Sequence, residues 1–275
     1  MAEKAKKNIN EMSFLDHLEE LRWLLVRSAI AMLIGAVVCF AVSDFIFDDI
    51  IFGPTRYDFW TYQAFCELTH TIGISEICFE DFDFKIQNTS MEGQITTLVW
   101  TCIAGGFIIG FPFILWEVWK FIRPALYENE RKYAKTFIFS ASLLFFMGVL
   151  IGYYLILPMS IHFFSTFKVS SIVVNEFNLE SYISMVKTTT IACGLFFELP
   201  IIIYLLTRLG LIGPDFLRKY RRHAIVILLI IAAIVTPPDV ISQVVITIPL
   251  LIIYELSIFL SARVVKQNKL REQNP

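Results

Sequence analysis

Residues 93–116 read GQITTLVWTCIAGGFIIGFPFILW, an unbroken stretch without a single Asp, Glu, Lys or Arg. A helix that crosses about 30 Å of hydrocarbon needs roughly 20 consecutive, mostly apolar residues. This stretch is long enough, and its composition suits lipid better than a soluble core. The segment that follows, 117–135, carries Lys120, Arg123, Arg131, Lys132 and Lys135. Basic residues gather on the cytoplasmic side of a span. The stretch therefore predicts a transmembrane helix whose Trp116 end faces the cytoplasm.

Working outward, five further apolar blocks appear. The first covers 23–42 and is charged only by Arg27. The third lies between Lys135 and Lys168, with no charge between them. The fourth covers 188–207 and is broken only by Glu198. The fifth covers 224–235, and the sixth covers 240–262 with Glu255 inside it. The fifth is short: at 1.5 Å per residue it reaches only about 18 Å. Charge decides whether it crosses. Lys4, Lys6, Lys7, Arg22 and Arg27 precede or open the first block. Arg208, Arg218, Lys219, Arg221 and Arg222 precede the fifth, and Arg263, Lys266, Lys269 and Arg271 follow the sixth. The intervening segments hold only Arg56, Lys85, Lys168 and Lys187. Since 208–222 and the tail share a side and the sixth block spans, the fifth must span too. It does so as a short helix closed by Thr236, Pro237, Pro238 and Asp239, where proline ends the helix and the bilayer thins locally.

The expected fold is an all-α integral membrane protein with six transmembrane helices and both termini in the cytoplasm. Helices five and six are joined by a tight outer turn, and helix five is short. The 275 residues form one transmembrane domain. It has a cytoplasmic amphipathic N-terminus at 1–22, a long acidic outside loop at 43–92 and a cytoplasmic tail at 263–275. Composition agrees: 56% hydrophobic and 17% charged, with a mean hydropathy of +0.65, against about 25% charge in a typical soluble domain. The net charge of −2 gives no basic field for nucleic acid. The N-terminus lacks the apolar core of a cleavable signal peptide.

The outside loop carries Asp44, Asp48, Asp49, Asp58, Glu67, Glu76, Glu80, Asp81, Asp83 and Glu92 against two basic residues. Cys66 and Cys78 lie in this loop. They either close it as a disulfide, in an oxidising compartment, or remain two free thiols. Cys39, Cys102 and Cys193 fall within apolar blocks as buried thiols. The histidines show no metal-ligand spacing. No nucleophile–base constellation or phosphate loop appears, so neither an enzymatic activity nor a cofactor is expected. Matched, broken helices in two halves, the mark of many transporters, are absent.

Several polar residues ask for a reason. Ser13 and Asp16 have the capping-box form. They open a segment in which Leu15, Leu18 and Leu25 share one helical face and Asp16 and Glu20 another. That is an amphipathic interface helix, or an acidic docking surface for a basic ligand. The loop after the second block mixes aromatics and basic residues, which an aromatic belt and positive-inside charge explain for Trp116, Trp119, Arg131 and Lys132. They do not explain Glu128 and Glu130. Glu198 and Glu255 lie inside blocks, and Glu117 at the inner end of the second. Acids at membrane depth cost several kcal/mol and normally face a cavity or a partner. Gly106 and Gly110 form a GxxxG that lets helices approach closely.

Four motifs occur in order: FLDHLEELR at 14–22, FIRPALYENERK at 121–132, FELP at 197–200 and TPPDVISQ at 236–243. Together they resemble the TatC family, the polytopic subunits of the twin-arginine protein translocase, from about residue 12 to 262. The resemblance implies a receptor for signal peptides bearing two arginines. It implies assembly with single-span TatA- and TatB-type partners, and with further copies of itself, in the bacterial cytoplasmic membrane. Folded proteins are then exported at the expense of the proton-motive force. It assigns the arginine pair to Glu20 and Glu130, supported by Leu21, Arg22, Phe121, Pro124 and Tyr127. It places Glu198 on a concave intramembrane face, and Asp239 and Gln243 at a polar site near the outer turn. Where the family often has a second basic residue after ELR, this chain has Leu24. The rival readings are an ion-coupled transporter or channel using Glu198 and Glu255, and a structural scaffold.

Overall fold

The computed structural model describes residues 14–72, 85–123, 134–170, 172, 174–235 and 240–273. The chain is helical in all its long elements. Helix α1 spans Phe14–Ala41 and α2 Trp60–Ile72. Helix α3 spans Gly93–Ile122, starting where the sequence places the second block and running two turns further. Helices α4 (Ala134–Ile151) and α5 (Leu157–Thr166) form the third span, α6 (Leu179–Phe196) and α7 (Leu199–Arg208) the fourth. After α8 (Pro214–Lys219) come α9 (Arg221–Val235) and α10 (Val240–Gln273). Among the described residues, five helices are long and apolar enough to cross a membrane: those of the first four blocks and the sixth. The fifth, α9, is 15 residues, about 22 Å at the α-helical rise. It is short, as the block length implies.

Two expected boundaries move. The fourth span begins at Leu179, more than two turns before position 188, because Asn178 caps it by accepting from the Glu180 N–H. The sixth continues as helix to Gln273 through the expected tail. The lipid-facing character of the helices is plain from their exposed apolar residues: Val37 is 70% exposed and Phe139 70%. Such surfaces on every span suit hydrocarbon rather than water.

α1 and α3 run antiparallel and nearly touch. A Cβ on Gly106 would lie 2.4 Å from the Met32 carbonyl oxygen and 2.5 Å from the Ala36 nitrogen, and one on Gly35 2.8 Å from the Gly106 oxygen. Gly110, the other half of the GxxxG, is less critical, since a Cβ there would meet Ala31 at 3.5 Å. The third and fourth spans approach at Gly148, whose Cβ would sit 2.6 Å from the Cys193 carbonyl.

The third span is interrupted by a π-helical turn, Gly152–Ile156, followed by Leu157 and Pro158. Pro158 has no N–H, so the Tyr154 carbonyl loses its i+4 donor. The outer loop replaces it: Thr61 Oγ1 on α2 donates to Tyr154 O at 2.6 Å. The Tyr62 hydroxyl donates to Pro54 O and Pro158 O at 2.9 and 3.2 Å, and burial raises its pKa above the usual phenol range. The segment 46–52 is fixed in turn by Tyr182, whose hydroxyl donates to Ile51 O. Further along, β1 (Lys85–Gln87) pairs parallel with β2 (Glu176–Asn178), Ile86 opposite Phe177. The described parts of the acidic loop, 43–72 and 85–92, thus form a folded cap on the third and fourth spans. Cys66 on α2 is disulfide-bonded, whereas Cys39, Cys102 and Cys193 are free. Cys78 lies outside the described residues.

The other core lies where α6, α7, α9 and α10 meet, around Cys193, Ile203, Leu228, Ala232, Leu250 and Tyr254. α9 and α10 form an antiparallel hairpin. Gln243 Nε2 donates to the Leu229 carbonyl at 3.3 Å near one end, and Arg221 pairs with Glu255 at 2.5 Å at the other.

Candidate functional site

The first and second spans are bound together at the ends that carry the N-terminus and the 117–135 loop. Arg27 Nη1 donates to Glu117 Oε2 at 3.3 Å, and Lys120 Nζ lies 2.5 Å from Glu117 Oε1. The Glu117 carboxylate is 3% exposed, while both cations are about half-exposed. One turn beyond Glu117, the Phe121 ring stacks on His17, with centroids 4.4 Å apart. Glu117 therefore has a defined role at the helix end, holding α1 to α3 through Arg27 while Lys120, one turn along the same helix, shares its carboxylate.

His17, Glu20 and Arg27 occur at i, i+3 and i+10 and share one side of α1. His17 and Arg27 both touch α3, so Glu20 lies on the side of α1 that meets α3, and it is exposed. Leu21 and Arg22 beside it are also exposed, with the Arg22 guanidinium 5.6 Å from the Trp23 ring centre. Glu19 falls on another side of the helix. Phe121 is half-buried at the end of α3. Pro124, Tyr127 and Glu130 lie outside the described residues, as do Glu128 and Ser13. An exposed carboxylate suits a basic ligand. Carboxylates take guanidinium in a planar, two-pronged geometry that lysine cannot match.

Trp119 departs from the belt expected of it. It is buried at 6% exposure and packs on Phe137 with centroids 4.5 Å apart, next to Ile138 and Leu205. Trp116, at 40%, keeps the belt position.

Glu198 sits where the fourth span breaks. Pro200 removes the i+4 donor of the Phe196 carbonyl, and the backbone tightens: Glu198 N–H bonds Leu195 O, and Glu198 O accepts from Ile201 and Ile202. The side chain is 6% exposed, and its Oε1 has no hydrogen-bond partner among the described residues. A buried carboxyl left unbonded is costly and calls for a reason beyond folding. Glu255 differs, being 44% exposed and paired with Arg221. The two acids that the rival transporter reading pairs occupy unlike environments. Asp239 lies outside the described residues, and Gln243 serves the α9–α10 hairpin. Among the described residues no group of three or more His, Cys, Asp or Glu could hold a metal ion. Sequence reasoning missed Arg27, Lys120 and His17 as partners. The i, i+3 spacing of Glu117 and Lys120 was the one signal available.

Comparison with known proteins identifies the family. Residues 16–249 match the family model described as Sec-independent protein translocase protein (TatC). The chain is similar to the Sec-independent protein translocase protein TatC of Blattabacterium sp. subsp. Periplaneta americana (strain BPLAN), 45% identical over 264 residues, 95% of this chain and 99% of that one. It is 33% identical to the TatC of Aquifex aeolicus (strain VF5) over 94% of this chain and 98% of that one. It superimposes on a crystal structure of the twin arginine translocase receptor TatC in DDM with a TM-score of 0.72 and 33% identity, covering 89% of this chain and 99% of that one. A model matching most of the chain, full-length relatives above 30% identity and the shared fold lead to one conclusion: this multi-pass membrane protein belongs to the TatC family of Sec-independent protein translocase subunits.

Proposed function

We propose that this chain is the signal-peptide receptor of a twin-arginine translocase in a bacterial cytoplasmic membrane, with both termini in the cytoplasm. Glu20 and Glu130 each take one arginine of the pair. Leu21, Arg22, Phe121, Pro124 and Tyr127 shape the site, and the apolar part of the signal peptide passes to the face that carries Glu198. The partners are TatA- and TatB-type single-span subunits and further copies of this chain, and folded cargo is exported using the proton-motive force. The observation that carries the reading is the exposed Glu20 on the side of α1 that meets α3 through the His17–Phe121 stack and the Arg27–Glu117 pair.

The ion-coupled transporter reading asks for two similar acids along a path. Glu255, paired with Arg221 at the start of α9, does not supply the second. The test is binding of a twin-arginine signal peptide to the purified protein, with a twin-lysine peptide as control. Preference for the arginine peptide by roughly a decade or more supports the receptor. Equal affinity for both peptides argues against it.

A further inference from the structure

Lys187 is expected just outside the fourth span, but the earlier start of α6 at Leu179 places it eight residues inside the helix, about 12 Å along its axis. It is half-buried and forms no ion pair or hydrogen bond among the described residues. A cation inside a span normally faces a cavity or a counter-charge. Lys187 faces a cavity of about 520 Å³, within the usual range for small-molecule sites. Its walls come from four spans, among them Cys39 of α1, Gly105 and Ile108 of α3, and Leu150 of α4. The lining is aliphatic and aromatic over most of its area, and Asp49, from the π-helical turn Ile46–Ile51, is the acid that lines it.

The two residues come from different parts of the wall, Asp49 from the segment that precedes α2 and Lys187 from within α6. The 46–52 segment packs against Tyr182 through the Tyr182–Ile51 hydrogen bond, five residues and about 7.5 Å nearer the loop end of α6 than Lys187. By backbone position, the cavity wall runs from Asp49 on the loop side to Lys187 within the span, and the rest of its lining is mostly apolar. An aminophospholipid has the same order: ammonium outermost, phosphate beneath it, acyl chain deepest. We propose that this cavity is a phospholipid site, taking one acyl chain between the first four spans, the phosphate at Lys187 and a primary ammonium headgroup at Asp49. This inference is independent of the peptide-receptor reading. The bound lipid would seal the seam between the α1–α3 pair and the third and fourth spans.

The experiment uses the full chain in nanodiscs of equimolar phosphatidylethanolamine, phosphatidylglycerol and phosphatidylcholine with matched acyl chains. Native mass spectrometry after release into detergent counts the lipids that stay bound. The wild type should retain phosphatidylethanolamine in excess, because the choline head cannot donate hydrogen bonds to Asp49 and the glycerol head lacks the cation. Lys187→Gln should lower retention roughly tenfold, the loss of one charge-assisted contact, while Lys187→Arg keeps it. Asp49→Asn should abolish the preference over phosphatidylglycerol without abolishing binding. Thermal unfolding of each variant in the same detergent reports folding. Equal retention of all three lipids by the wild type, or unchanged retention in folded Lys187→Gln, overturns the site. Displacement of the lipid by a single-span subunit without any headgroup preference assigns the cavity to a protein helix and also overturns it.

Discussion

Arg27 of the first span and Glu117 of the second are joined across 90 positions of sequence by a 3.3 Å hydrogen-bonded ion pair, with the carboxylate almost fully buried. Glu117 is the pivot, because Lys120 shares it. Removing Arg27 leaves the acid one partner, and removing the acid leaves two cations side by side. Glu117→Ala should therefore destabilise the protein more than Arg27→Ala or Lys120→Ala. Breaking a fully buried pair costs about 3–5 kcal/mol, and half-exposed cations pull this down to about 1–2 kcal/mol. Thermal unfolding of the three variants in one detergent ranks them. Equal losses across all three would show that no residue is the pivot.

Paired recognition by Glu20 and Glu130 predicts unequal effects among neighbouring acids. Alanine at either should weaken twin-arginine peptide binding by roughly one to two decades, the worth of a charge-assisted hydrogen bond. Lysine should be worse, since it sets like charges together. Glu19, on another side of α1, and Glu128 are the controls. Isothermal titration with one peptide compares the set, and a loss at Glu19→Ala equal to that at Glu20→Ala would sink the paired model.

The two glycines of the GxxxG should part company. At Gly106 any Cβ collides with backbone atoms of α1, which cannot rotate away. Gly106→Val should cost about 1–3 kcal/mol as overpacking and separate α1 from α3. Gly110→Ala, with its nearest atoms at 3.5 Å, should be tolerated. Protease resistance of the two variants in membranes is the readout, and similar resistance would argue against Gly106 as the contact point.

Glu198 should matter for export more than for assembly. Replacing an acid inside a span lowers the cost of insertion, so Glu198→Ala should reach the membrane at wild-type levels and retain its fold. Export of a twin-arginine cargo should fall. Glu198→Gln, which keeps the shape and part of the hydrogen bonding, should show whether charge is required. Loss of the Glu198→Ala protein from the membrane, rather than loss of export, would count against a transport role.

The disulfide of Cys66 carries a statement about sidedness. With Cys78 as its partner it closes the loop that the charge pattern places outside, where thiols oxidise. Peptide mapping without reductant should recover the Cys66 and Cys78 peptides linked. A cysteine introduced as Asn129→Cys should resist a membrane-impermeant reagent added to intact cells. Labelling of that cysteine from outside would falsify the orientation.

What the sequence determined by itself was whatever the bilayer judges one segment at a time. The uncharged run ending at Trp116, the clusters around Arg218–Arg222 and the brevity of the fifth block are local quantities. Hydropathy and basic charge set them regardless of what lies alongside, so the helices and their order could be read directly. The start of α6 at Leu179 was less legible, because a cap by Asn178 is a side-chain hydrogen bond that hydropathy does not register. Tertiary structure alone decided the pairing of groups far apart in the chain: Arg27 with Glu117, Thr61 with the carbonyl freed by Pro158, Arg221 with Glu255. It also separated Glu198 from Glu255, and it turned Lys187 from the edge of a span into the wall of a cavity. Pairing depends on helix rotation and contact, which glycine-sized gaps such as the one at Gly106 allow or forbid. A carboxylate in an apolar run has the same appearance in sequence whether or not a cation on another helix reaches it.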